Sequence, residues 1–436
     1  MSKSPLFARP LRRLAWPLLA VSLTAALSAC ARAPERANVP LSIAGVATIC
    51  PVCPACTVCT PAKPDLTPLP NFPPERDDVA APPEPLRGRL VRVAWNEVKQ
   101  WGTDDPSGAL YAFLQGCPIL KAEPIWAAVC AKAEATRQRP RGEIQRFFAS
   151  EFEPYQALNL DGTESGTVTG YYEPLLRGSR TKTAKFRYPL YATPPDLLTI
   201  DMSEMYPDLK NRRLRGRIVG GKVLPYFERS EIDSASAPLK GLEIVWVDDP
   251  IEALFLQIQG SGQIQLTDGK MLRVGYADQN GHAFRSVAGA LVRRGELKLA
   301  RATLDGMKDW ARRNPQKVQQ FMNTNPSYIF FKELAPDLTG PIGTLGVPLT
   351  AERSVAVDHR VIPLGVPVFL STTYPGTKDA LTRLMVAQDT GGAIAGGVRA
   401  DFYWGFGDTA GATAGKMKQA GKMWVLLPRG YELNPK

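Results

Sequence analysis

The chain has 436 residues, 44% of them apolar and 22% charged, and its 53 Lys and Arg against 42 Asp and Glu give a formal charge of +11. This is globular composition with room for two or three domains, and 37 Gly with 39 Pro stay below the density of a disordered chain or a collagen; a polytopic membrane protein is excluded as well. Only two histidines are present, His282 and His359, and all seven cysteines fall between Cys30 and Cys130. A His-rich metal site is therefore excluded, and the C-terminal two thirds must work with carboxylates, hydroxyls, amides, Lys or Arg.

In chain order, Lys3, Arg9, Arg12 and Arg13 precede an apolar run from Leu14 to Leu27. It is shorter than the roughly 20 residues of a spanning helix and reads as an export signal. The run ends in Leu27-Ser28-Ala29-Cys30, which resembles a bacterial lipoprotein signal. The resemblance implies removal of residues 1–29, acylation of Cys30 and a lipid anchor. Ala31 rather than Asp after the cysteine implies the periplasmic face of the outer membrane. An ordinary signal peptide that happens to end near a cysteine is the alternative. Without residues 1–29 the charge falls to +7, too modest to argue for any partner alone, and nucleic acid is not expected.

Residues 30–88 read as a tether, since 13 of the 39 prolines lie between Ala31 and Leu86 and no helical or alternating period is present. Extended as polyproline II it would reach on the order of 170 Å. Cys50, Cys53, Cys56 and Cys59 recur at every third position, so their sulfurs would line one edge of that helix, about 9 Å apart between Cα atoms and beyond the roughly 7 Å of a disulfide unless the segment bends. A disulfide or cross-link, within or between chains, suits an exported protein better than a metal cluster, and cysteines without a defined role are the remaining alternative. Cys117 and Cys130 follow in a helical-looking region, where a local disulfide is expected.

From about Leu90 the spacing of apolar residues predicts a helix over 143–155 and a strand over 167–172. Short strands are predicted at 242–247, 253–257 and 263–266, with Asp268-Gly269 as a hairpin turn into a further run at 271–276. Helices follow at 286–294 and 299–322, the second interrupted near Asn314-Pro315, and then strands at 366–370, 384–388 and 423–427.

The densest chemistry lies in Asp389-Thr-Gly-Gly-Ala-Ile-Ala-Gly-Gly-Val-Arg399-Ala-Asp401-Phe-Tyr-Trp404-Gly-Phe-Gly407, which holds two carboxylates, one arginine, four aromatics and six glycines in 19 positions. Structural turns with Asp in Asx positions would account for it. Equally, the aromatic residues after Asp401 can stack on sugars, and apolar neighbours raise a carboxyl pKa towards the range a general acid needs.

This segment, with Ser354-Val-Ala-Val-Asp358-His-Arg-Val-Ile-Pro363-Leu-Gly365 upstream, closely resembles the membrane-bound lytic murein transglycosylase A family, whose three-aspartate domain would be named by Asp358, Asp389 and Asp401. Gly170-Tyr-Tyr-Glu-Pro174, Gln257-Ile-Gln259-Gly-Ser261-Gly262, Gly275-Tyr276 with Asn280-Gly281, and Asn325-Pro-Ser-Tyr-Ile-Phe-Phe331 carry the same resemblance, which runs from about 90 to 430. It implies a mainly β fold with some α: a double-psi β-barrel built from two segments, 89–175 and 337–436, with a second, smaller β-barrel domain inserted at 176–336 and a groove between them. It further implies cleavage of the β-1,4 bond between N-acetylmuramic acid and N-acetylglucosamine of peptidoglycan strands, with 1,6-anhydromuramic ends, no cofactor, no metal and a single acid at Asp401. Asp389 and Asp358 read as site-shaping or structural. An inverting hydrolase with Asp389 as base and a non-catalytic wall-binding lipoprotein remain as alternatives. Gln259 and Ser261 suit the N-acetyl and hydroxyl groups of sugars, or else form a flexible turn; Tyr171, Tyr172 and Trp404 are candidate sugar platforms, or else core. The two histidines read as structural.

Overall fold

The computed structural model describes residues 87–433 other than 210, 211 and 213. The export signal, Cys30 and the four tether cysteines lie outside these residues.

The first part of the chain runs β1 (Arg89–Arg92), α1 (Ser107–Leu120), α2 (Pro124–Thr136), α3 (Arg141–Glu151), β2 (Phe152–Leu158) and β3 (Gly166–Glu173). The middle part holds β4 (Leu175–Ser179), β5 (Tyr188–Tyr191), β6 (Leu198–Ile200), β7 (Leu214–Val219), β8 (Lys222–Pro225), α4 (Arg229–Ile232), β9 (Glu243–Val247), α5 (Pro250–Gln259), β10 (Ser261–Leu266), β11 (Met271–Gln279), α6 (Val287–Arg293), α7 (Leu304–Arg313), α8 (Val318–Met322) and β12 (Ile329–Glu333). The last part adds β13 (Ser354–Val357), β14 (Pro367–Thr373), β15 (Ala380–Asp389), β16 (Arg399–Phe406), α9 (Gly407–Ala414) and β17 (Lys418–Pro428).

The first and last parts share one sheet in the order β1-β2-β17-β14-β15-β13-β16-β3, and a second pairing of β17 with β3 closes six of these strands into a barrel. Two of the pairs in the ring, β13 with β15 and β16 with β3, are parallel. Closure abolishes the open edges that such a sheet would otherwise expose. All four residues of β13 and six consecutive residues of β17, Met423–Pro428, are buried, as continuous apolar runs demand of strands covered on both faces. Helices α1 to α3 pack on this body, and their Phe113, Trp126, Phe147 and Phe148 join one core with Phe152, Val355, Phe402 and Leu426. A disulfide, Cys117–Cys130, ties α1 to α2, as expected, with Cα atoms 5.7 Å apart. Buried Asp104, just ahead of α1, accepts from the Leu384 N–H at 2.8 Å and from Arg353 at 3.1 Å, so the two distant chain segments are also joined by charge.

The middle part forms a second sheet, β12-β11-β10-β4-β9-β5, whose two edges meet at a bridge between Ala192 and Phe331; β6, β7 and β8 make a small separate sheet.

Several boundaries differ from expectation. Residues 253–257 lie in helix α5, not in a strand. Asp249 caps that helix by accepting from the Ile251 and Glu252 N–H groups, Pro250 occupies its first position, and Gly260 ends it with φ of 83°. These stop and start signals outweigh a five-residue apolar run. The helix expected to reach 155 ends at Glu151, where β2 begins, and the long helix at 299–322 is broken after Arg301 as well as at Asn314.

Candidate active site

In β16, alternate side chains face opposite ways, and the parallel register sets Asp401 beside Thr169, Phe402 beside Gly170 and Tyr403 beside Tyr171. One face of this pair of strands therefore carries Thr169, Tyr171, Asp401 and Tyr403. The Thr169 hydroxyl donates to Asp401 Oδ1 at 2.6 Å, while Asp401 Oδ2 accepts no hydrogen bond from the described residues. Arg399, two residues back on the same face, donates to the Thr169 oxygen at 2.9 Å and thereby turns its proton towards Asp401. Burial pushes the Asp401 carboxyl up to about 6; the Thr169 bond and the Arg399 charge oppose the shift, and Asp389 adds to it.

Asp389, at the end of β15, is held very differently. Its Oδ1 accepts from the Thr344 N–H at 3.0 Å, the Thr344 hydroxyl at 2.9 Å and the Thr390 N–H at 2.9 Å, and its Oδ2 accepts from the Tyr171 hydroxyl at 3.1 Å. Burial still raises its pKa, against these four donors. Burial and the neighbouring Asp389 and Asp401 charges hold the Tyr171 phenol far above its ordinary range, so it stays a neutral donor; its ring lies 5.2 Å from that of Tyr403. Asp358 is a third case. Burial would raise its carboxyl, but the Arg360 fork, at 2.7 and 2.8 Å, and the Gly396 N–H hold it below the ordinary range. It fixes the loop that leads into β16.

A buried seam joins this face to the second sheet. Glu173, at the end of β3, pairs with Arg273 of β11 at 2.9 Å and accepts from Gln263 of β10 at 3.1 Å. Next to it, Gln259 at the end of α5 accepts from the Tyr172 N–H at 3.0 Å, and Ser261 opens β10 beyond the Gly260 turn. The Gly-Ser-Gly stretch is thus a helix stop leading straight into a strand.

Two family models match the chain, the MltA specific insert domain over residues 167–332 and the 3D domain over 353–427. The membrane-bound lytic murein transglycosylase A of Escherichia coli is 30% identical over 296 residues, 66% of this chain and 73% of that protein. The chain belongs to the membrane-bound lytic murein transglycosylase A family. Its structure is similar to MltA from Neisseria gonorrhoeae, at 36% identity and a TM-score of 0.68 over 79% of this chain and 92% of that one. It is also similar to the lytic transglycosylase LtgG of Burkholderia pseudomallei, at 46% identity and a TM-score of 0.55 over 78% and 96%. The fold is that of the lytic murein transglycosylase A family, a double-psi barrel built from two chain segments with a smaller β domain inserted. Among the described residues no helix is long and apolar enough to cross a membrane.

Asp401, Asp389 and Tyr171 come together, with Gln259 and Ser261 at the seam. Tyr172 and Trp404 do not join them. Both rings lie on the opposite face of the strands: Trp404 packs 4.5 Å from Phe402 and donates its indole N–H to the Met417 sulfur, and Tyr172 sits under α9, where a Cβ on Gly411 would come within 2.7 Å of its ring. Strand parity thus sets these two rings on the face away from the Asp401 carboxyl. His282 bonds the Tyr226 carbonyl through Nε2 at 2.7 Å. Two of the motifs that carry the resemblance serve as scaffolding. Asn280 binds the backbone of Phe227, Pro326 and Tyr328, and Asn325 accepts from the Arg285 and Ser327 N–H groups. Thr169, Thr344 and Arg273 escaped sequence reading. For Thr169 the signal existed, two residues before Tyr171 in a period of two; for the others none did.

Proposed function

We propose that this protein is a peptidoglycan lytic transglycosylase in which Asp401 is the single acid and base. In the first step the protonated Asp401 carboxyl donates to the glycosidic oxygen as the bond from C1 of N-acetylmuramic acid to that oxygen breaks. The 6-hydroxyl oxygen of the same muramic residue then bonds to C1, and its proton passes to the Asp401 carboxylate. The products are a 1,6-anhydromuramic end and a free N-acetylglucosamine hydroxyl, water is not consumed, and Asp401 returns to its starting protonation state.

The observation that carries this reading is the contrast between the two carboxyls: Asp401, raised to about 6, has one hydrogen-bond donor, whereas Asp389 has four. A group with a pKa near 6 holds and releases protons near neutral pH. Four donors fix Asp389 as an acceptor that shapes the wall of the site through Tyr171 and Thr344, which speaks against a water-activating base. Gln259, Ser261 and Tyr171 are the residues that would meet the sugar N-acetyl and hydroxyl groups.

The finer assignments belong to the same proposal: segments 89–175 and 337–436 as the barrel domain, 176–336 as the insert, and an acylated Cys30 holding the protein at the periplasmic face of the outer membrane, with Cys50, Cys53, Cys56 and Cys59 available for cross-linking. The name of the relatives, membrane-bound, supports the anchor. Mass spectrometry of muropeptides released from purified sacculi tests the reaction. Anhydro ends are expected; reducing ends would mean a hydrolase, and no release a wall-binding protein.

A further inference from the structure

Away from Asp401, the inserted part carries a concentrated positive charge. Residues 293–317 hold eight basic against three acidic residues, an excess of five where the whole chain beyond residue 29 has seven. The helices α6 to α8 pack on their own apolar core and turn these charges outwards. At the C-terminal end of α7 they surround a hollow of about 650 Å³ lined by Glu296, Leu297, Lys298, Arg301, Asp309, Arg312 and Arg313. That volume is in the range of pockets that take small ligands or polymer side groups.

The charges around the hollow do not cancel. Asp309 is shared by two guanidiniums, those of Arg301 and Arg312, while Glu296 is taken by Lys317 at 2.7 Å and by the Trp310 indole N–H. Lys298 makes no ion pair within the described residues, and Arg313 donates only to a backbone carbonyl, that of Asp309. Both are exposed. An ammonium and three guanidiniums around one concavity suit a carboxylate, which the planar guanidinium fork holds through two parallel hydrogen bonds. The hollow shares no residue with the Asp401 site.

We propose that this hollow is a second binding site, for carboxylate groups on the peptide stems of peptidoglycan, and that it holds the wall while the Asp401 site engages a glycan strand. The proposal rests on the function argued above for the identity of the polymer. To test it, full-length wild-type protein and the Lys298→Gln/Arg313→Gln variant are cosedimented with intact sacculi and with sacculi whose carboxyl groups have been converted to amides. Neither replaced side chain is buried or ion-paired, and equal melting temperatures verify the variant's fold. The variant should bind intact sacculi about tenfold more weakly, amidation should weaken the wild type to the same extent, and the two changes together should add nothing further. Equal affinity of both proteins for intact sacculi, or the same fold loss of both on amidation, overturns the proposal. So does a variant that loses binding to phosphatidylglycerol vesicles while keeping its wall affinity, which assigns the hollow to a lipid surface. Muropeptides released by the wild type in the same samples test the reaction separately: absence of anhydro ends, with the binding pattern intact, removes the transglycosylase reading and leaves the carboxylate site.

Discussion

Thr169 reaches Asp401 across a parallel strand pair, donating its hydroxyl at 2.6 Å while Arg399 fills the acceptor side of the same oxygen. The bond stabilises the Asp401 carboxylate, so its loss should raise the pKa of the acid above about 6. In Thr169→Val the alkaline limb of the pH profile for anhydro-product release should move to higher pH, with a rate loss of roughly tenfold from a less well oriented acid. Thr169→Ser should restore both. A Val variant with an unmoved limb would remove Thr169 from the proton chemistry.

For the wild type, the first step needs a protonated Asp401, so kcat/KM should fall as pH rises through about 6. Activity that stays flat from pH 5 to 8 on purified strands would contradict a single acid at this position.

Asp401→Asn should abolish release of anhydro ends and yet stabilise the protein. The folded pKa, about 6, is raised above the ordinary 3.8, so the protonated carboxyl contributes stability that is complete below 3.8 and lost as pH rises through 6. A neutral amide escapes that loss. The variant should exceed the wild type by about 3 kcal/mol at pH 7.5 and converge with it below pH 4, as read by denaturant titration at the two pH values.

Asp389 offers a sharper separation of roles. Asp389→Ala leaves the Thr344 and Thr390 N–H groups without their acceptor and should cost about 2 kcal/mol or more of stability. Asp389→Asn keeps an oxygen for both and should retain anhydro-product release. Complete loss of activity in a folded Asp389→Asn protein would revive the two-carboxylate mechanism.

At the seam between the two sheets the buried Glu173 carboxylate pairs with the mostly covered Arg273. Removing one partner leaves an uncompensated charge, so Glu173→Ala should lower stability by about 3 kcal/mol, and adding Arg273→Met should recover much of it. Thermal unfolding of the single and double variants would measure this, and additive losses would deny the pairing its role.

Much of this was legible in the sequence because chemistry and geometry coincide there. The three aspartates stand in recognisable surroundings, and the strand around Tyr171 has a clean alternation. What escaped was decided by parity and by distance along the chain. Trp404 is three residues from Asp401, and an odd offset in a strand sends a ring to the other face. Arg273 meets Glu173 from 100 residues away, a partnership that no local pattern announces. The run at 253–257 was misread because its helix is specified outside it, by Asp249, Pro250 and Gly260.

The barrel is closed by β17, which pairs with β2, β14 and β3 at once, while β3 also takes β16 as its parallel neighbour. The strand bearing Thr169 is thus made more than 200 residues before the strands that flank it. A growing chain can complete none of those pairings early, and contacts so distant in sequence form late. The Thr169–Asp401 pair therefore forms only when nearly the whole polypeptide is present, so any chain that stops short of β16 lacks both the carboxyl and the neighbours that set its proton affinity.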